Sequence, residues 1–359
     1  MRAHRWPSLD HLRALTDDVG ILQHATLDVP NRSCGYCTDD VGRALIVACE
    51  SAASDPHDRD AARLVSTYLA YLHDAQLPDG WFHNFMGYDR RWQDDRGTPD
   101  AVGRAIWGLG HAERYATRAT WRALAGSLRR RALDGVAQME YVRSRAYAIL
   151  GLVQSLATHP DDELALRAAI DAAAAAIADE YDLHRAADWE WCEPTMTYDN
   201  ARIPEALLRA GEALRSERYR AAGLAMLAFY ARVTMVPSPH ALGATIFEPV
   251  GNAGWYPRGG TKARFGQQPL EAAAMVDAAI AAHALQDGAG WLDVAETAHA
   301  WYLGANAHGA TLAHDGGCCD GLDAEAINPN RGAESTVSYL MSAIALAKRS
   351  PATLRIVTG

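Results

Sequence analysis

The sequence predicts an all-α protein, a closed (α/α)6 toroid of about twelve helices that residues 1–359 form as a single domain. Segments rich in alanine and leucine with helical periodicity alternate with loops rich in glycine, proline, tryptophan and aspartate. Runs of alternating β-branched residues are nearly absent. Segments that are apolar on all sides also alternate with more polar ones, as the inner and outer helices of such a ring do.

The spacing of apolar residues predicts where the individual helices lie. Apolar residues recur at i, i+3, i+4 and i+7 from Val41, from Val102 and from Val337, which is the period of a buried helix face. Buried helices are expected to begin near residues 39, 99, 143, 199, 268 and 333. More polar helices are expected at 59–76, 119–134, 163–180, 216–232 and 291–305, with one more near 8–17. A closed ring fits this period better than an open solenoid, because neither end carries a polar capping repeat.

An internal repeat predicts how the inner helices are aligned. Asp39-Asp-Val-Gly-Arg-Ala-Leu-Ile recurs as Asp100-Ala-Val-Gly-Arg-Ala-Ile-Trp, with a weaker echo that starts at Asp199. Thr98 can cap its helix with Pro99 at the first helical position. The acidic residue of each repeat is therefore expected in a first turn, and all these first turns are expected to open on one rim.

The amino-acid composition narrows the range of molecules that this protein can bind. A formal net charge of -10 leaves no basic face for nucleic acid or an anionic membrane, whereas a neutral sugar fits it. The amino terminus lacks the apolar run of a signal peptide and no stretch is apolar for the length of a bilayer span, so we expect a cytoplasmic protein. Its six cysteines are then expected to be free thiols. The adjacent Cys318 and Cys319 would not ligate one zinc ion together, so no metal is predicted. No cofactor is predicted either.

The loops that lead into the inner helices hold most of the aromatic and acidic residues. A pyranose has an apolar face that stacks on a ring and a rim of hydroxyls that carboxylates, amides and arginines bind. Trp81, Trp189, Trp191 and Trp255 are the predicted stacking platforms. The alternative is that these tryptophans fill space between helices, since tryptophan is mostly buried.

Two of the first-turn aspartates have a structural explanation. Asp39 with Arg43, and Asp100 with Arg104, are i, i+4 pairs, and a carboxylate in a first turn also favours the helix dipole. Sugar binding by Asp39 and Asp100 is the functional alternative.

The catalytic candidates are Asp40, Asp199 and Glu193. No arginine follows Asp40 or Asp199 at i+4, which favours a functional role for both. Glu193 lies in a loop rich in tryptophan and proline, where a desolvated carboxyl would have the raised pKa of a general acid. Asp40 or Asp199 would be its ionised partner. Further predicted sugar-binding residues are His83, Asn84, Glu190, Asn200, Arg202, Gln268 and Glu334.

These motifs resemble an (α/α)6 domain family of bacterial carbohydrate metabolism, whose members often stand beside or are fused to glycosyltransferases. The resemblance is carried by segments that start at Pro30, Trp189 and Arg331, including Trp189-Glu-Trp-Cys-Glu-Pro and Arg331-Gly-Ala-Glu-Ser-Thr, and it covers nearly the whole chain. It implies the fold, a sugar ligand and a glycosyltransferase as a possible partner. More distantly the architecture is similar to that of inverting glycosidases, glycoside phosphorylases, unsaturated-uronide hydrolases and N-acylglucosamine 2-epimerases.

The chain departs from that family at two motifs. The family reads Thr-Asp-Asp-Asn-Ala-Arg where this chain has Thr38-Asp-Asp-Val-Gly-Arg, and Gly-Ser-Glu-Asp-x-His-Gly-Arg where it has Gly97-Thr-Pro-Asp-Ala-Val-Gly-Arg. An amide and an imidazole are thus missing from one rim. If those groups bind substrate in the family, specificity or catalysis differs here.

The first functional hypothesis is a glycoside hydrolase-like enzyme, a glycosidase or phosphorylase, that acts on a cytosolic oligosaccharide with paired carboxylates in a central cleft. The second is a sugar epimerase or isomerase, which would need a pair of loop histidines, and His83, His240 and His314 lie in loops. The third is a non-catalytic glycan-binding module that serves a glycosyltransferase.

Overall fold

The computed structural model describes residues 4–158 and 162–349, which form twelve α-helices and short strands. The inner helices are α2 (Thr38–Ser54), α4 (Pro99–Tyr115), α6 (Val142–Leu156), α8 (Arg202–Leu214), α10 (Pro269–Leu285) and α12 (Ala333–Ala347). The outer helices are α1 (Asp10–Leu15), α3 (Arg59–Ala75), α5 (Ala119–Val136), α7 (Glu163–His184), α9 (Glu217–Thr234) and α11 (Trp291–Ala300). None of these described helices is long and apolar enough to span a bilayer.

The inner helices form a closed ring. Each contacts the next along the chain, and α12 contacts α2. An outer helix packs beside each inner one, with α1 against α12. The inner α10 is buried along most of its length, whereas the outer α3 buries one face only, through residues such as Leu64, Tyr68 and Leu72. The predicted (α/α)6 toroid is confirmed.

Short antiparallel pairs of strands lie in the loops between the helices. The strands are β1 (Ala25–Thr26), β2 (Val29–Pro30), β3 (Tyr36–Cys37), β4 (Phe85–Met86), β5 (Thr195–Met196), β6 (Met235–Pro237), β7 (Thr245–Phe247), β8 (Tyr256–Pro257), β9 (Ala313–His314), β10 (Gly317–Cys318), β11 (Gly321–Leu322) and β12 (Ile327–Asn328). The pairs are β1–β2, β3–β4, β5–β8, β6–β7, β9–β10 and β11–β12. All six pairs lie in loops that lead into inner helices.

Most predicted helix starts agree with the structure to within a residue or two. Thr98 caps α4 by accepting a hydrogen bond from the backbone N–H of Ala101, and Pro99 is the first helical residue. The exception is α8, which begins at Arg202 and not near 199. Asp199 has a left-handed backbone (φ 50°) that a helix cannot contain, so it lies before the first turn.

Three inner helices pack backbone against backbone. A Cβ added to Gly108 on α4 would overlap the carbonyl oxygen of Gly42 on α2, and one added to Gly110 would overlap that of Gly151 on α6. Glycine is required here because no larger residue fits between the helices. The α2–α4–α6 side of the ring is therefore closely packed.

Limited proteolysis tests the prediction that residues 1–359 form one domain. Because α12 packs on α2, we expect the ring to resist cleavage as one unit and to lose this resistance all at once. Two stable fragments divided near residue 160 or residue 235 would contradict the prediction.

Candidate active site

A cleft opens at the end of the ring where the inner helices begin. It consists of two adjoining cavities of about 400 Å³ and 310 Å³. The first, here called the aromatic cavity, is lined by Thr98, Asp100, Arg104, Tyr198, Asn252, Trp255 and Leu270. The second, the polar cavity, is lined by Gln23, His24, Cys37, Asp40, Arg43, Asp320, Gly332 and Ser335. Both cavities share Asp39, Gln268 and Glu334.

Three carboxylates meet two buried arginines at the centre of this cleft. Arg43, one turn into α2, donates from Nη2 to Oδ1 of Asp40 at 2.7 Å, and its Nη1 lies 3.1 Å from Oε2 of Glu334 on α12. Arg104 of α4 reaches across to Asp39 at 2.5 Å. Asp39, Asp40 and Glu334, all predicted from the sequence, thus come together from two facing helices.

The two adjacent aspartates differ in protonation. Burial raises the pKa of Asp40 to about 7, although the guanidinium of Arg43 opposes the rise. Burial also disfavours the ionised form of Asp39, but Arg104 and Arg43 outweigh it and lower the pKa of Asp39. Near neutral pH the cleft therefore holds a partly protonated carboxyl beside an ionised one, which is the arrangement that acid–base chemistry needs.

The raised pKa of Asp40 predicts a pH-dependent contribution to stability. A carboxyl whose pKa is raised on folding stabilises the protein below its unfolded pKa, and this contribution is lost as pH rises through the folded pKa of about 7. From pH 5 to pH 8 the wild type should lose about 2.6 kcal/mol relative to Asp40→Asn. Denaturant unfolding of both proteins at the two pH values measures this difference. A difference that does not change with pH would contradict the prediction.

Asp199 lies beneath the cleft, in a buried polar network. It accepts hydrogen bonds from the Tyr147 hydroxyl at 2.8 Å and from Arg104 at 3.2 Å, and Arg202 lies 3.7 Å away. No arginine follows Asp199 at i+4, as the sequence analysis noted, but two arginines contact it in the structure. Arg104 is distant in sequence, and Arg202 is at i+3, the same spacing that Arg43 has from Asp40.

Glu271 fixes the loop in front of α8. It accepts hydrogen bonds from the backbone N–H groups of Asp199 and Asn200 and from the Tyr230 hydroxyl, the last at 2.6 Å. Burial raises the pKa of Glu271 to about 7. The side-chain amide of Asn200 donates to Glu271 and to the Thr197 carbonyl, so this predicted sugar-binding group is engaged within the protein.

Glu193 does not have the surroundings of a proton donor. Both of its carboxylate oxygens accept from Nη1 of Arg143 at 2.8 Å, an ion pair that suits an anion. It is also absent from the residues that line the cleft. The predicted acid role does not fit, because Arg143, 50 positions away in sequence, occupies the carboxylate. Its neighbour Glu190 accepts a hydrogen bond from Tyr181.

Of the predicted stacking platforms, only Trp255 lines the cleft. Trp81, Trp189 and Trp191 are at most 5% exposed and offer no face to a sugar. The indole of Trp81 donates to the Gly97 carbonyl and that of Trp189 to the Glu193 carbonyl, both at 2.8 Å. Their stacking role is corrected to packing that supports the loops.

His83 and Asn84 hold the loop beside α2 and do not line the two cavities. His83 stacks on Trp92 at 4.7 Å between ring centroids, and Nδ1 lies 2.8 Å from the Asp94 carbonyl oxygen. Asn84 is buried; its side chain accepts from the Cys37 thiol, and its carbonyl accepts from the first amide of α2. These two predicted sugar-binding residues therefore position the start of α2.

Among the other candidates, Asp100 and Gln268 line the cleft and Arg202 does not. Asp100 accepts a hydrogen bond from the Tyr198 hydroxyl at 2.6 Å, whereas its predicted partner Arg104 turns to Asp39. Arg202 donates to two carboxylates, Glu205 at 2.7 Å and Asp277 at 2.6 Å. These two carboxylates line a cavity of about 410 Å³ at the opposite end of the ring, so Arg202 belongs to that end.

Sequence reasoning missed several residues that line the cleft. His24 and Asp320 lie in the loops that lead into α2 and α12, which is the loop class that the sequence analysis singled out. Tyr198 lies in the loop before α8. Applying the loop rule to every inner helix would have found all three. Among the described residues, no group of three or more His, Cys, Asp or Glu could hold a metal ion.

Comparison with known proteins identifies the fold. No family model and no curated protein matches this chain. Solved structures do: a cellobiose 2-epimerase from Bacillus thermoamylovorans (TM-score 0.71, 10% identity, 95% of this chain and 96% of that one) and a D-mannose isomerase (TM-score 0.69, 10% identity, 96% and 94%). A GH76 alpha-mannanase from Bacteroides thetaiotaomicron is also similar (TM-score 0.65, 11% identity, 98% and 96%). At these identities the likeness concerns the fold alone.

Proposed function

We propose that this protein is a carbohydrate-active enzyme that cleaves a glycosidic bond in an oligosaccharide. The single observation that carries the proposal is the carboxyl of Asp40, kept partly protonated at neutral pH, facing Glu334 across Arg43. Asp40 gives its proton to the leaving oxygen. Glu334, 39% exposed in its side chain and beside two guanidiniums, is the ionised partner that activates water or attacks the anomeric carbon.

The side chains that line the cleft favour a sugar as the ligand. Trp255 and Tyr198 line it with aromatic side chains, while Gln268, Asn252 and Asp39 provide hydrogen-bonding groups. The neighbours are named for action on sugars, among them a cellobiose 2-epimerase and an alpha-mannanase. The acidic lining of the cleft favours neutral or cationic sugars over anionic ones.

A screen for bond cleavage tests the proposal. The purified protein is incubated with a panel of neutral and amino-sugar oligosaccharides, with and without inorganic phosphate, and new reducing ends and sugar phosphates are quantified. Cleavage that requires phosphate would make the enzyme a phosphorylase, and cleavage without it a hydrolase. Binding without any turnover across the panel would overturn the catalytic proposal and leave a glycan-binding module.

Sugar epimerisation is the second candidate, because two of the three structures compared above are an epimerase and an isomerase. Proton abstraction beside a carbonyl calls for a pair of bases. Within the described residues, one histidine, His24, lines the cleft. His83 is occupied by Asp94, and His240 and His314 contact backbone carbonyls elsewhere. Incorporation of deuterium from D₂O at C2 of an uncleaved sugar would favour this reaction over hydrolysis.

A glycosyltransferase partner and a cytoplasmic location complete the proposal. The partner rests on the family resemblance, and the location is supported by six cysteines that are all free thiols, as is usual in a reducing compartment. Co-purification of the tagged protein with a glycosyltransferase tests the association. Cell fractionation tests the location.

A further inference from the structure

Building on the proposed function, we infer that the substrate occupies two sugar subsites, one in each cavity, and that its scissile bond lies over the shared wall of Asp39, Gln268 and Glu334. A disaccharide is then the smallest substrate that uses the whole site. The inference begins with the shape of the cleft. Each cavity has at least the volume at which small-molecule sites begin. The two adjoin at Glu334, one of the two proposed catalytic carboxylates, while the proposed acid Asp40 lines the polar cavity.

The two cavities differ in chemistry. Trp255, Tyr198 and Leu270 give the aromatic cavity an apolar wall against which the CH face of a pyranose can stack. The polar cavity has no described aromatic side chain other than His24, and its lining of Gln23, Asp320 and Ser335 suits the hydroxyl rim of a sugar. The sugar on one side is therefore held by stacking, and the sugar on the other by hydrogen bonds.

Trp255 is held in place before any ligand arrives. Its backbone is left-handed (φ 58°), a conformation that a bulky residue adopts only when its surroundings impose it. Its N–H donates to the Gly251 carbonyl at 3.0 Å, and its carbonyl accepts from Ala263 at 2.8 Å. The end of this loop is held by ion pairs of Glu248 with Lys262 at 3.2 Å and with Arg264 at 2.9 Å. A fixed ring loses little entropy on stacking, which suits a binding platform.

The polar cavity is also built on fixed backbone. The carbonyl of Gln23 accepts from the N–H of Ala333, the first residue of α12, at 2.9 Å. Leu27 accepts from Arg331 at 2.8 Å and its N–H donates to the Asn330 side chain at 2.9 Å. His24 lies in this loop and lines the polar cavity together with Glu334. The two subsites therefore meet at Glu334, which lines both cavities.

Binding to the slow variant Asp40→Asn tests the inference. Isothermal titration calorimetry compares glucose, cellobiose and cellotriose, and mannose, mannobiose and mannotriose. In whichever of the two series binds, we expect the disaccharide to bind at least tenfold more tightly than the monosaccharide. Adding Trp255→Ala should weaken disaccharide binding about tenfold, because the sugar in the aromatic cavity loses its stacking partner. Trp255→Phe should restore most of the loss, and adding His24→Ala should weaken the disaccharide through the polar cavity.

Trp121→Ala, on the outer helix α5, is the matched control and should change neither affinity. Equal affinities for monosaccharide and disaccharide, or disaccharide binding that is unchanged in Trp255→Ala, would overturn the two-subsite inference and leave the proposed function standing. Failure of all six ligands to bind, together with no binding and no cleavage across the oligosaccharide panel described above, would overturn both, because the cleft would then not be a sugar site.

Discussion

Asp40→Asn is expected to lower the turnover of an unactivated glycoside by about 10²–10⁴-fold, the usual contribution of a general acid. Asparagine keeps the size of the side chain and can still accept from Arg43, but it carries no transferable proton. Sugar binding should therefore survive, and a substrate with a good leaving group, which needs little protonation, should recover much of the rate. Initial-rate kinetics with a matched pair of good and poor leaving groups measures both effects.

The pH profile gives this prediction a second readout. The wild-type rate should fall above pH 7 because Asp40, with a pKa of about 7, loses the proton that it must donate. The residual rate of Asp40→Asn should lack this alkaline limb. Asp28→Asn, at an exposed turn position, is the control and should keep the wild-type profile. A wild-type-like rate in Asp40→Asn would move the acid role to another carboxylate of the cleft.

Gly110→Ala is expected to give the largest loss of stability among single-methyl substitutions in the ring. In an isolated helix the same change stabilises by up to about 1 kcal/mol, so any loss measures the clash. The added Cβ would overlap the Gly151 carbonyl, and two packed backbones cannot move apart locally. We expect a loss of about 3 kcal/mol, at the upper end for overpacked cores, and a melting temperature lower by roughly 4 °C.

Gly87→Ala is the matched control for this substitution. The Cβ added there meets the exposed side chain of Asp89, which can rotate away, so the melting temperature should change little. Thermal unfolding followed by circular dichroism compares the two variants. A Gly110→Ala protein as stable as the wild type would show that α4 and α6 are less tightly packed than the structure has them.

Local sequence signals were enough for the fold and for part of the site. The spacing of apolar residues, the Thr98 cap and the repeated Asp-x-Val-Gly-Arg motif are short-range features, and they predicted the inner helices and the rim that carries Asp39, Asp40 and Glu334. Helical periodicity works here because inner and outer helices differ in how many of their faces are buried.

The errors concern residues whose partners are distant in sequence. Nothing near Glu193 indicates that Arg143 occupies its carboxylate, and nothing near Asp199 indicates Arg104. The tryptophans show that local sequence is also ambiguous for aromatic residues. A loop rich in aromatic residues is equally consistent with a tryptophan that lines the cleft, such as Trp255, and with a buried one that packs in the core, such as Trp189. Which of the two forms depends on the tertiary structure.

The contact between the last inner helix and the first has a consequence for folding kinetics. Neighbouring helices such as α2 and α4 are close in sequence and can pair early, whereas α12 must find α2 across almost the whole chain, as in the ion pair of Lys348 with Glu50, 298 positions apart. Contacts of such high sequence separation form late. Glu334 and Arg43 meet across this same seam, so recovery of activity during refolding should follow the last step and lag behind the recovery of helix signal.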